Sequence, residues 1–163
     1  MSLDIRAFRK ALGCFATGIA VVTAKEKGDK TAEAKGITVN SFSSVSLEPP
    51  LILWCLGKTS KRYELFTKPD EFTISILSEA QRAISERLAG SSDCSLAGLP
   101  LVECENGAPG LADALAIFEC RREAIYEAGD HVILLGGVTR FEGREEGDPL
   151  VYFRGRYGAL TGK

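Results

Sequence analysis

Apolar positions recur along this chain at two periods, and the switch between them marks out its elements. Over residues 3–17, Ile5, Phe8, Leu12 and Phe15 fall three or four apart, the spacing of one helical stripe, with Gly18 placed as the stop. Residues 19–24 are rich in β-branched side chains and read as a strand. The charged stretch 25–35 carries Gly28-Asp29 and reads as a hairpin loop into a second strand at Gly36. Residues 51–56 are solidly apolar and too short for a helix, which predicts a strand covered on both faces. Thr59 or Ser60 then caps a short helix that must end before Pro69. Residues 71–77 alternate, with Phe72, Ile74 and Ile76 on one face. Ser78 and Gln81, three apart, form a capping box that opens a helix running to about Gly90.

Residues 90–110 hold four glycines, two prolines and two cysteines, so regular structure is not expected there; a loop this long in a compact domain is often functional. Strand patterns return at 115–126, at 131–141 after a turn over 127–130, and at 149–153. Six or seven strands with three helices among them, and no regular βαβ alternation, favour an antiparallel barrel or sandwich over a doubly wound sheet. No repeat, low-complexity tract or linker interrupts residues 1–163, which read as a single domain.

Charge and cysteine content narrow the function classes. A net charge of −2 leaves no basic stripe for nucleic acid or a membrane surface. No apolar run reaches membrane-spanning length and the N-terminus has no secretory core, so a cytoplasmic protein is expected. Cys14, Cys55, Cys94, Cys104 and Cys120 are odd in number and include no CxxC pair, and with one histidine no zinc pattern assembles. Neither a metal site nor a disulfide framework is expected.

The candidate chemistry lies in residues 36–60. Thr38, Asn40, Ser41, Ser43, Ser44 and Ser46 set small polar groups between β-capable residues, letting the backbone approach a planar polar ligand and offer it donors. The bland reading is an exposed strand edge, although such an edge more usually carries Lys and Glu. Gly57-Lys58-Thr59-Ser60 invites comparison with a P-loop, but that motif needs a glycine five positions before Gly57 and Ile52 stands there. A Lys with two hydroxyls at a helix start remains either an anion site or a plain cap. Together the segment suggests a phosphate-bearing aromatic cofactor lying across strand ends. His131 is the sole imidazole, so acid–base chemistry near neutral pH would fall to it; otherwise it simply begins a strand after the Asp130 turn. Arg154, Arg156 and Tyr157 either stack on a nucleotide or form a last strand and turn.

Taken in order, these motifs resemble the flavin reductase-like family, the small FMN-binding split-barrel proteins. The resemblance runs from Phe8 to Leu160. It is carried by Phe15-Ala16-Thr17-Gly18 with Val21-Val22-Thr23, by Gly36-Ile37-Thr38-Val39-Asn40-Ser41-Phe42, and by Ser44-Val45-Ser46-Leu47-Glu48-Pro49-Pro50. Gln81 with Leu88-Ala89-Gly90, Cys120, Gly129-Asp130-His131 and the PLVYFRGRYG tail complete it.

The resemblance implies a mainly β, antiparallel Greek-key split β-barrel with about three short helices, acting as a homodimer. It implies FMN or FAD as cofactor, NADH or NADPH as co-substrate, and hydride transfer that supplies reduced flavin to a partner monooxygenase. Carried over, Thr38, Val39, Asn40, Ser41 and Ser44 meet the flavin ring and ribityl chain. Cys55, Leu56, Lys58, Thr59 and Ser60 lie along the ribityl–phosphate side, with Arg87 a second phosphate candidate. His131 is the catalytic candidate on the nicotinamide side and Tyr157 stands at the rim. Leu88 occupies a position where the family commonly has Phe, which removes a ring for stacking there. Two further readings stay open: a flavoprotein that retains FMN and acts directly on an organic substrate, and a non-enzymatic flavin- or redox-binding module.

Overall fold

A computed structural model describes residues 3–26, 28–90 and 94–160. Its centre is a seven-stranded antiparallel sheet. The strands are β2 (Ala20–Ala24), β3 (Lys35–Val39), β4 (Ser43–Leu47), β5 (Pro50–Gly57), β6 (Glu71–Ile76), β9 (Ala116–Ala128) and β10 (His131–Gly143), in the order β3-β2-β6-β9-β10-β5-β4. The two edge strands, β3 and β4, are separated in sequence by only Asn40–Phe42. A few residues span little more than about 10 Å, so the sheet must curl until its edges meet. That single connection turns the sheet into a split barrel.

The barrel interior takes alternate residues from β2, β5, β6, β9 and β10: Ala20, Val22, Ile52, Trp54, Leu56, Phe72, Ile74, Cys120, Val132 and Leu134, with Phe66 beneath them. Strand β10 bends at two register shifts, one of them between Leu135 and Gly136. A Cβ at Gly136 would lie 2.5 Å from the Phe72 ring, so only glycine lets β10 cross the core this closely.

The remaining described strands are short. β1 (Thr17–Gly18) joins the hairpin β11 (Val151–Phe153) and β12 (Arg156–Gly158), while β7 (Leu101–Val102) pairs with β8 (Gly110–Leu111). Helices α1 (Ile5–Leu12), α2 (Tyr63–Thr67) and α3 (Arg82–Ala89) flank the barrel. A second apolar cluster, including Val21, Leu77, Leu88, Leu96 and Leu150, packs α3 and the 94–101 segment on the outer side of the wall. Among the described residues no helix is long and apolar enough to cross a membrane.

Several expectations need revision. The first helix ends at Gly13, well before Gly18, because Thr17 and Gly18 pair with Tyr152 and Val151 as a strand. Its apolar stripe faces outward: Ile5, Phe8 and Leu12 are all exposed, as is Phe15 beyond the helix end. The β5 strand is not covered equally on both faces. Ile52, Trp54 and Leu56 are buried, whereas Leu51, Leu53 and Cys55 are half-exposed on the outer side. Twelve strands form among the described residues rather than six or seven, because short pairs and β4 lack a hydrophobic period. The short helix begins at Tyr63, not at Ser60; Ser60 sits in the preceding turn, its hydroxyl accepting from Arg62 N–H at 3.2 Å. The Ser78–Gln81 box forms as expected, with Ser78 N–H donating to Gln81 Oε1 at 3.1 Å. In the irregular 90–110 stretch, residues 91–93 lie outside the described residues.

Candidate functional site

Strand β3 carries the hydroxyl-rich ribbon past α3. The approach is close because position 36 is glycine: a Cβ there would meet Leu96 at 2.7 Å and Leu88 at 3.1 Å. Two residues on, Thr38 Oγ1 donates to the Ser85 carbonyl of α3 at 2.8 Å. The Ser85 hydroxyl in turn bonds the Tyr157 hydroxyl at 2.9 Å. Tyr157 is held from two further sides, by Tyr152 edge-on with ring centroids 5.5 Å apart and by the Arg82 guanidinium 5.1 Å above its ring. Thr38 and Tyr157, more than a hundred residues apart in the chain, thus meet on one helical serine.

Beyond β3 the ribbon closes onto the outer side of β5. Ser41 Oγ accepts from Cys55 N–H at 2.9 Å and lies 3.3 Å from the Cys55 carbonyl. One small side chain therefore replaces a ladder rung where the barrel splits. Asn40 and Ser44 on either side of it are exposed. Burial pushes the Cys55 thiol above its ordinary pKa, partly offset by the Ser41 hydrogen bond, so near neutral pH this floor stays uncharged.

At the far end of β5, Gly57 pairs with His131 of β10. Lys58 N–H donates to the Asp130 carbonyl at 2.9 Å, and the Lys58 ammonium forms an ion pair with Glu127. His131 Nδ1 lies 2.7 Å from Asp130 Oδ1; this hydrogen bond is the main reason the Asp130 carboxyl sits below its usual range. The turn after Lys58 is tied back to α3 by Arg62, only 5% exposed, which donates to the Leu88 carbonyl at 2.7 Å and to the Gly90 carbonyl. These contacts tie the ribbon 38–41 to α3 and to the outer side of β5, and the 57–60 turn to the end of α3.

The sequence-derived candidates divide on this frame. Thr38, Ser41, Cys55 and Tyr157 are joined through hydrogen bonds with β5 and α3, while Asn40, Ser44, Lys58 and Thr59 are exposed beside them and Ser60 is half-buried in the turn. Val39 and Leu56 turn their side chains into the barrel core, 9% and 2% exposed, so either offers a ligand only its backbone. Arg87 bonds the carbonyls of Ser95 at 2.9 Å and Ala97 at 3.1 Å, bracing the loop behind α3. Sequence reasoning did not single out Ser85, Arg82, Arg62 or Glu127. Ser85 gave a faint signal, as a small hydroxyl one residue beyond Ile84 on the helix face toward β3; the others gave none.

The chemistry of this surface suits a flavin. Its floor is uncharged and half-buried, as a flat ring requires. Exposed amide and hydroxyl groups line one side, and an ammonium with two hydroxyls stands at one end, as a phosphate requires. A recess of about 550 Å³ near Lys25, Lys68 and Glu71 mixes charges of both signs and touches none of these residues. Among the described residues no three His, Cys, Asp or Glu side chains converge on a metal position.

Comparison with known proteins places the chain among flavin reductases by sequence and by fold. A family model described as flavin reductase like domain matches residues 12–161. The FMN reductase (NADH) SmoA of Agrobacterium fabrum is 44% identical over 96% of this chain and 86% of its own length. The reductase component of 4-hydroxyphenylacetate 3-monooxygenase from Thermus thermophilus is 40% identical over 95% of this chain and 96% of its own. The chain spans 48% and 65% of the length of two relatives from Rhizobium meliloti, so those proteins contain more than this domain. Among solved structures, the NADH:FAD oxidoreductase of Streptomyces globisporus in complex with NAD and FAD fragments superposes with a TM-score of 0.89. It is 33% identical, with 99% of this chain and 98% of that chain covered. The match runs through β3, β5, α3 and the β11–β12 hairpin alike, and on that footing this chain belongs to the flavin reductase-like family.

Proposed function

We propose that this chain is an NAD(P)H-dependent flavin reductase, taking FMN or FAD into the groove between the 38–44 ribbon and the outer side of β5. One observation carries the reading: a neutral, half-buried strand surface at Leu53 and Cys55, bonded at Cys55 by Ser41, lies on the strand that leads into Lys58-Thr59-Ser60. Asn40, Ser41 and Ser44 offer donors and acceptors to the ring and ribityl chain, and the backbone of Val39 and Leu56 adds to them. Lys58, Thr59 and Ser60 receive the phosphate. Arg87 is better understood as a brace for the 95–97 segment than as a phosphate ligand, since its guanidinium already meets two carbonyls.

Bound flavin supplies the ring that accepts hydride from the nicotinamide, so the protein has mainly to stack two rings and exclude water. His131, oriented by Asp130 and half-exposed beside Gly57, borders the nicotinamide side. Tyr157, fixed by Ser85 and Arg82, forms the opposite rim. No strong general base is needed, which suits a chain with one histidine.

The outward apolar faces of Ile5, Phe8, Leu12, Phe15, Leu47 and Phe153 support a homodimer, since exposed apolar groups of this extent mark an interface. Relatives named as reductase components support delivery of reduced flavin to a separate monooxygenase. The five free thiols suit the reducing cytoplasm.

The test is nicotinamide oxidation by purified protein, with FMN, FAD or riboflavin added and NADH or NADPH as donor. Oxidation that depends on added flavin is expected. Inactivity with every combination would end the reductase reading. Flavin retained through gel filtration, with slow turnover of free flavin, would favour the flavoprotein acting directly on a substrate.

A further inference from the structure

The Lys58 ammonium, assigned above to the flavin phosphate, is already paired with a carboxylate. Glu127 reaches it from the end of β9, one register step from the Gly129-Asp130 turn. The pair is well hydrated, with side chains 36% and 72% exposed. Asp130 is the other acid beside Lys58: its carbonyl accepts the Lys58 N–H, and the ammonium contributes to holding its carboxyl in the ionised form. The Asp130 carboxylate, however, is engaged by His131 at 2.7 Å. Glu127 is therefore the acid whose charge is directed at Lys58.

We propose that Glu127 is a built-in competitor of the flavin phosphate for Lys58, and that it determines how tightly phosphorylated flavins are held. Phosphate binding breaks the Lys58–Glu127 pair and frees Glu127 to water. As flavin leaves, the carboxylate closes on Lys58 again. The pair is exposed, so the competition is mild, as a released substrate requires and a permanent prosthetic group does not. Riboflavin carries no phosphate and does not enter this exchange. The inference rests on the assignment of the phosphate to Lys58, and the experiment separates the two.

Dissociation constants for FMN and riboflavin, read from flavin fluorescence on titration, are compared in wild type, Glu127→Gln, Lys58→Ala and the double variant. The Gln variant is isosteric at an exposed position, so folding is not at issue. It should bind FMN about two- to fivefold more tightly, the range of an exposed ion pair. The gain should shrink as salt is raised, and riboflavin affinity should not change. In the Lys58→Ala background the same Glu127 change should have no effect on FMN.

A gain that persists without Lys58 would overturn the proposal, since Glu127 would then act only by general repulsion. So would unaltered FMN affinity in Glu127→Gln while Lys58→Ala loses FMN selectively; the phosphate assignment would survive that result. Equal losses of FMN and riboflavin in Lys58→Ala would remove the assignment and the competition with it.

Discussion

Arg62 bears more of the site's geometry than its place in a turn suggests, and replacing it with Met isolates that contribution. Its guanidinium is 5% exposed and satisfies two carbonyls at the C-terminal end of α3, where a helix leaves its last acceptors open. Methionine fills much of the volume and removes every donor. Gly90 is exposed, so its carbonyl can turn to water; Leu88 is fully buried and its carbonyl cannot follow unless α3 lifts from β3. A buried acceptor left without a partner costs about 1–3 kcal/mol. Relief of the buried guanidinium's desolvation offsets part of that, leaving a net loss of about 1–2 kcal/mol. For a chain of this size each kcal/mol lowers the melting temperature by about 2–4 °C, so a drop of about 2–8 °C is expected by circular dichroism. Arg62→Lys should fall between the two, since a single ammonium lacks the planar fork that reaches both carbonyls. Because Arg62 also ties down the 57–60 turn, FMN affinity should fall in the Met variant more than riboflavin affinity. A Met variant melting within about 1 °C of wild type, with unchanged FMN binding, would refute this account of the brace.

Gly36→Val puts side-chain atoms where Leu96 and Leu88 already stand, and overpacking of this kind costs about 1–3 kcal/mol; urea denaturation should show it, with Gly36→Ala milder. Burial pushes the Cys120 thiol up to about 12. Its contribution is whole below about pH 9 and is lost as pH rises toward 12, because the unfolded thiol ionises first, at up to about 1.4 kcal/mol per pH unit. Cys120→Ala should therefore show a shallower alkaline decline than wild type; parallel declines would mean the buried thiol is not responsible. His131→Ala should raise the KM for the nicotinamide and leave the flavin Kd nearly unchanged, since His131 faces Asp130 and Gly57 rather than the ribbon. Unchanged KM and kcat would reduce His131 to a turn residue.

What could be read from the chain was whatever repeats locally. The alternation of residues 71–77 announced β6 and the inward face of Phe72 and Ile74, and the Ser78–Gln81 spacing announced its cap. Gly129-Asp130 marked the turn between the two longest strands; the start of β10 at His131 was matched, and β9 runs two residues further than expected. The helical stripe of α1 was equally plain, yet its direction was not. A period reveals that a face is apolar without saying whether this chain or another surface covers it.

The amino-acid order by itself determined the mainly β character, the family, and the segment around Asn40 and Lys58 as the place to look for chemistry. Only the tertiary structure decided that β3 and β4 are opposite edges of one sheet brought together, that Cys55 faces outward while Trp54 and Leu56 face in, and that Ser85 meets Tyr157, Arg62 the end of α3 and Glu127 Lys58. The reason is sequence separation. Thr38 meets Ser85 and Tyr157, and Lys58 meets Glu127, through strand pairings and a curled sheet, and such encounters leave no periodic trace in the segments that make them.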